Sequence, residues 1–192
     1  MGHNCDMAPL RSGLFAIAII LSPIWPQDGW ANQEDDRLDA LFFQLQSANS
    51  GRTAKIVEQL IWKIWLQSGD ETLDQLMATG VKAMGAGNYK RALAAFNAIL
   101  EDAPNFAEGW NKRATLYWLM GDFEKSISDI DQTLALEPRH FGALSGLAMI
   151  RESQRRPLDA IQAFKRALEI YPAIPNAGQR IRELSRQLGE PI

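Results

Sequence analysis

Three prolines, Pro104, Pro138 and Pro172, stand 34 residues apart, and each closes a stretch of helical pattern. A fixed period of this length marks a repeat architecture, in which each unit is one supersecondary element that cannot bury its apolar face without a neighbour. The register extends inward from each proline. Small residues recur 24 positions before it (Gly80, Ala114, Ala148) and 12 positions before it (Ala92, Ser126, Ala160). Large apolar residues recur eight before (Phe96, Ile130, Phe164) and four before (Leu100, Leu134, Leu168). A turn signal falls between the two sets: Gly87-Asn88-Tyr89, Gly121-Asp122-Phe123 and Arg155-Arg156-Pro157. Each unit therefore reads as helix, short turn, helix, then a proline that stops the second helix. The small residues let two helix backbones approach at their crossing, and the bulky residue one turn on fills the adjoining space. Asn88 and Asp122 are placed to cap the second helices, and Pro157 to serve as a first helical residue whose missing N–H costs nothing. Asn105 followed by Glu108 has the spacing of a capping box at the start of the second unit.

These residues resemble tetratricopeptide repeats. In the second unit Trp110, Ala114, Tyr117, Gly121-Asp122-Phe123 and Pro138 follow the family's order, with Arg113 where leucine is usual and Ser126 where alanine is usual. The resemblance implies an all-α, right-handed solenoid of antiparallel helix pairs, with units at residues 73–106, 107–140 and 141–174. Upstream, residues 39–70 read as a degenerate hairpin without the small residues or the proline, as expected of a terminal unit. Its Phe42, Phe43, Leu45, Ile56, Leu60, Ile61, Ile64 and Trp65 are expected to bury against the first repeat. Downstream, residues 175–192 hold a polar helix with Ile181, Leu184 and Leu188 at spacings of three and four, expected to cap the stack. In this order of parts the chain resembles exported bacterial members of the family.

The export reading rests on residues 1–31. Arg11 precedes an apolar run from Gly13 to Trp25, which is shorter than the ~20 residues a membrane span needs, and Gly29-Trp30-Ala31 supplies small residues before a cut after Ala31. We expect this segment to be a removed signal peptide and residues 32–38 an acidic linker; an uncleaved anchor is the alternative. Export places the mature chain in the periplasm or outside the cell, with no membrane span. Cleavage removes Cys5, the one cysteine, so the mature fold is held by packing alone.

Composition narrows the function. At 46% hydrophobic the chain buries a substantial core, while a formal charge of −3 gives no case for nucleic acid, which demands a surplus of Lys and Arg. With one cysteine and two histidines there is no Cys/His metal site and no nucleophile with a positioned base, so no metal, cofactor or enzymatic activity is expected. The resemblance implies instead a binding surface, the concave groove lined by the first helices. The positions that carry over are Asp74, Met77, Val81 and Met84, then Glu108, Asn111, Thr115, Trp118 and Leu119, then Ser145, Met149 and Glu152. This apolar strip with three carboxylates suits a protein or peptide segment that combines apolar with basic residues, in a scaffold or adaptor of the cell envelope. Trp118 is the expected anchor. The competing readings are that Met84, Leu119 and Met149 are core under a terminal helix that fills the groove, and that the ends of the stack pair into a homo-oligomer. Some family members clamp a peptide's C-terminal carboxylate with Lys, Asn and Arg. The matching positions here are Met77, Val81, Lys112, Gly142 and Gly146, of which Lys112 alone bears a cation, so the resemblance argues against that ligand. Asp129 and Asp131 are expected to be solvated, and His140 to be a packed or capping side chain.

Overall fold

The computed structural model describes Met1 and residues 32–189; the expected signal segment and the last three residues lie outside the described residues. These hold nine α-helices and one 3-10 turn, Asn32–Glu34. The helices are α1 (Arg37–Gln46), α2 (Gly51–Trp65), α3 (Glu71–Gly85), α4 (Tyr89–Asp102), α5 (Ala107–Leu119), α6 (Phe123–Leu136), α7 (Phe141–Ser153), α8 (Pro157–Ile170) and α9 (Ala177–Gln187). The architecture is an all-α solenoid in which α3/α4, α5/α6 and α7/α8 form antiparallel pairs, each packed on the next.

Local chemistry explains the pairs. Each turn passes through the left-handed region at the same register position, with φ of 72° at Gly87, 78° at Gly121 and 57° at Arg155. Asn88 and Asp122 then accept hydrogen bonds from the backbone N–H of Arg91 and Lys125, and Pro157 opens α8. At the crossings Ala92 and Ala160 are fully buried, and the Ser126 hydroxyl donates to the Ala114 carbonyl at 2.8 Å. The serine thus substitutes for the usual alanine by satisfying its own polar atom across the helix pair. The capping box does not form. The N-cap of α5 is Phe106, one residue later than the spacing implies, with no side-chain cap, and Glu108 turns inward to other partners. Asp129 is also not solvated: it is 3% exposed and holds the Arg113 guanidinium through two bonds of 2.7 and 2.9 Å. Arg113 bonds Asn97 as well, so the residue in the usual leucine position ties α4, α5 and α6 together.

The largest departure concerns the N-terminal hairpin. It does not continue the stack beyond the first repeat but lies along the edge where successive units join. Leu38, Phe42, Leu45, Ile61, Ile64 and Trp65 share one buried cluster with Phe141 of α7 and Tyr171 after α8. Arg139 reaches back to Asp39 at 2.6 Å and lies over the Phe42 ring. The Tyr171 hydroxyl donates to Glu58 of α2 at 3.3 Å, and its pKa is pushed up from 10.0 to about 12 by burial and by that carboxylate. Phe43, Ile56 and Leu60, expected to be buried, stay exposed. At the other end α9 packs on α8, with Ala177 and Leu184 buried against Ala148, Ala160 and Phe164.

Candidate functional site

The first helices α3, α5 and α7 place their outward residues on one concave side. Between α5 and α7 lies a cleft of about 220 Å³ lined by Asn111, Thr115, Trp118, Gly142, Ser145, Gly146 and Met149. A second cleft of about 420 Å³ adjoins it toward α9, sharing Trp118, Ser145 and Met149 and adding Glu152, Phe164, Asn176 and Arg180. Trp118 is half-buried and Met149 is 45% exposed, so both present apolar surface at the wall the clefts share. Val81 (37% exposed) and Leu119 (41%) extend this strip. Met84, which the competing reading made core, is half-buried against the first repeat's cluster, whereas Leu119 and Met149 are not core.

Several of the other expected site residues are buried or engaged within the chain. Met77 is core, packed with Leu73 and Phe96. Asp74 is half-buried and accepts from the Ser68 N–H at 2.7 Å and the Ser68 hydroxyl at 2.8 Å, closing the turn between α2 and α3. Glu152 is bound by Arg180 of α9. Glu108 is 1% exposed and Asn111 is 6% exposed, and Asn111 Nδ2 donates to Glu108 Oε2 at 2.9 Å. All three groove carboxylates therefore have partners within the chain, Glu108 and Glu152 with cations and Asp74 with Ser68. Thr115 and Ser145 remain on the cleft wall, each hydroxyl donating to the carbonyl four residues back.

Glu108 belongs to a buried cluster that the sequence did not reveal. Lys112 Nζ is 2.8 Å from one carboxylate oxygen, and His140 Nε2 is 2.9 Å from the other. Burial is the largest single influence and would raise the Glu108 pKa; Lys112 and His140 together outweigh it and hold it below the ordinary 4.5. His140 Nδ1 accepts from the Ala143 N–H at 3.1 Å, capping α7, so Nε2 carries the hydrogen that it donates to Glu108. His140 is thus both packed and capping. The Trp65 indole stacks on its imidazole at 4.1 Å, and Trp62 meets it edge-on at 5.5 Å.

Trp62 also decides what becomes of the carboxylate-clamp positions. Lys112 lies 5.1 Å from the centre of its ring. A Cβ on Gly142 would come within 2.7 Å of the same indole. The hairpin's own tryptophan therefore covers the end of the groove where a clamp would stand, and the one cation available there is spent on Glu108. No sequence signal marked Trp62, since an apolar stripe reports burial and not its destination.

The sequence model of the tetratricopeptide repeat family matches residues 77–130 and 111–175. A TPR repeat-containing protein of Rhizobium etli is 35% identical over 191 residues, spanning 93% of this chain and 94% of that one. The chain belongs to the tetratricopeptide repeat family. A small glutamine-rich tetratricopeptide repeat-containing protein of Mycosarcoma maydis is 30% identical over 100 residues, 52% of this chain but 28% of that protein. Among solved structures, the first TPR of Spaghetti (RPAP3) bound to an HSP90 peptide superposes with a TM-score of 0.58 at 23% identity, covering 62% of this chain and 94% of that one. The MamA protein of MSR-1 gives 0.53 at 15% identity over 79% of this chain and 84% of its own. These structural likenesses establish the TPR fold. Among the described residues of this TPR protein, no group of three or more His, Cys, Asp and Glu is arranged to hold a metal, and no helix is long and apolar enough to cross a membrane.

Proposed function

We propose that this TPR protein is a non-enzymatic interaction module that holds a short apolar segment of a partner protein in the clefts between α5, α7 and α9. The observation that carries this reading is the shared wall formed by Trp118 and Met149, large apolar side chains left open to solvent on a concave surface. A rigid indole beside a thioether that repacks at little cost suits an anchor side chain from a partner. The RPAP3 domain bound to an HSP90 peptide supports a peptide ligand in general. An acidic C-terminal tail is not the ligand proposed here, since four clamp positions are Met77, Val81, Gly142 and Gly146 and the fifth, Lys112, is already paired. The partner is also not chosen for basic residues, because Asp74, Glu108 and Glu152 are engaged internally.

The test is selection of binders from a displayed peptide library with the chain beginning at Asn32. Apolar peptides are expected, with affinity reduced at least about tenfold in Trp118→Ala. Met149→Glu, at an exposed position that does not hold the core, is expected to act likewise and separates binding from folding. Equal binding by both variants would sink the proposal. The envelope-adaptor role rests on the charged, apolar and small-residue pattern of residues 1–31; exported protein beginning at Asn32 is the result expected from N-terminal sequencing.

A further inference from the structure

Trp62 is held in one orientation by α2 and α7 together. Its ring meets Trp65 edge-on at 5.3 Å and Phe141 edge-on at 5.5 Å. Its indole N–H donates to one oxygen of Glu58 at 3.3 Å, and the other oxygen accepts from the Tyr171 hydroxyl at 3.3 Å. The far edge of the ring fills the space over Gly142 that a Cβ would need, beside His140 at 5.5 Å and the Lys112 ammonium at 5.1 Å from the ring centre. A glycine within a helix forgoes the propensity that alanine would supply. At Gly142 in α7 the indole accounts for that loss.

Gly142 also lines the cleft of about 220 Å³ between α5 and α7. One residue therefore borders both the indole and the cleft. Along α7 the cleft runs from Gly142 past Ser145 to Met149, where the larger cleft toward α9 takes over. The groove is thus continuous toward α9 and meets an aromatic side chain of its own protein at Gly142. We propose that Trp62 is a specificity-determining residue of the partner site, an inference that rests on the partner-binding reading above. The ring occupies an aromatic subsite bounded by Lys112, His140 and Gly142 and ends the groove there. The partner is restricted to a short segment that enters from the α9 side and stops or turns away at Gly142. Leu38, Phe42, Leu45 and Trp65 fix the hairpin in its buried cluster, so the ring is a permanent stop and not a lid.

In the full chain, Trp62→Ala vacates the subsite, and free indole is the probe. Calorimetry is expected to find one indole site more in this variant than in the wild type. Gly142→Ala reads the same contact without a ligand. It is expected to lower the melting temperature of the wild type, where the methyl meets the ring. It is expected to raise that of Trp62→Ala, where the space is free and alanine favours the helix. For the groove, an apolar peptide selected on the wild type is expected to bind Trp62→Ala with unchanged affinity. The same peptide with a tryptophan added, each end being tried in turn, is expected to gain at least about tenfold in the variant and nothing in the wild type. Trp62→Leu, which keeps an apolar side chain on the hairpin, is expected to show the same gain and serves if alanine unfolds the chain. No added indole site, or a Gly142→Ala effect of one sign in both backgrounds, overturns the subsite. An extension that helps both proteins equally, or neither, overturns the stop while leaving the partner reading intact. Failure to select any apolar peptide on the wild type overturns the partner reading, and the stop with it, whatever indole does.

Discussion

His140 Nε2 lies 2.9 Å from Glu108 Oε2 with both side chains buried, and this contact joins the first turn of α5 to the start of α7 beneath the N-terminal hairpin. His140→Ala removes the cap of α7, worth about 1 kcal/mol. It also strips one partner from a buried carboxylate, which costs a further ~1–3 kcal/mol. The expected loss is about 2–4 kcal/mol in urea unfolding, and a loss below about 1 kcal/mol would show that the cluster contributes little.

Glu108 should make stability depend on acid. Its folded pKa is depressed below 4.5, with Lys112 and His140 outweighing burial, so the unfolded chain takes up the proton first as pH falls. The contribution is therefore complete above the unfolded value and is lost as pH drops through the folded one. Unfolding of the wild type and Glu108→Gln compared from neutral pH downward should show a gap that narrows below pH 4.5. A gap independent of pH would contradict the assignment.

Gly80 packs against the Phe96 ring, and an added Cβ would fall inside the ring's contact distance. Alanine gains about 1 kcal/mol in helix propensity elsewhere. Here overpacking of about 1–3 kcal/mol opposes it, so Gly80→Ala is expected to lower the melting temperature. A rise would mean that the α3–α4 crossing is looser than described.

Arg155 occupies the turn position that Gly87 and Gly121 occupy in the other two units, at φ 57°. A left-handed conformation costs a non-glycine residue about 1–2 kcal/mol, and glycine gives back part of that gain through its larger unfolded-state entropy. Arg155→Gly is expected to stabilise the protein by about 0.5–1 kcal/mol in denaturant unfolding; destabilisation would reveal an unrecognised role for the side chain.

The groove was only partly legible from the chain. Trp118, Met149, Thr115 and Ser145 stand on the cleft walls, and Val81 is exposed on α3 outside both clefts. The full set of partners around the carboxylates was not legible, because charge on a helix face is visible in a sequence while a partner distant along the chain is not. Arg180 pairs with Glu152 from 28 residues away, and His140 reaches Glu108 across 32. The capping-box spacing of Asn105 and Glu108 misplaced the helix start by one residue, since Phe106 is the N-cap and Glu108 lies in the buried cluster.

The helix pairs, their 34-residue register, the turn residues and the small side chains at the crossings follow from the residues alone, because all of these depend on contacts within a unit or with the next one. The place of the hairpin was settled by long-range packing. The hairpin's apolar stripe marks Phe42, Leu45, Ile61 and Trp65 for burial, together with Phe43, Ile56 and Leu60 that stay exposed, because the hydrophobic effect is non-directional and names no partner. The partners turned out to be Phe141 and Tyr171, more than seventy residues further along the chain. That choice placed Trp62 over Lys112 and Gly142, closed one end of the groove, and left Phe43, Ile56 and Leu60 facing outward.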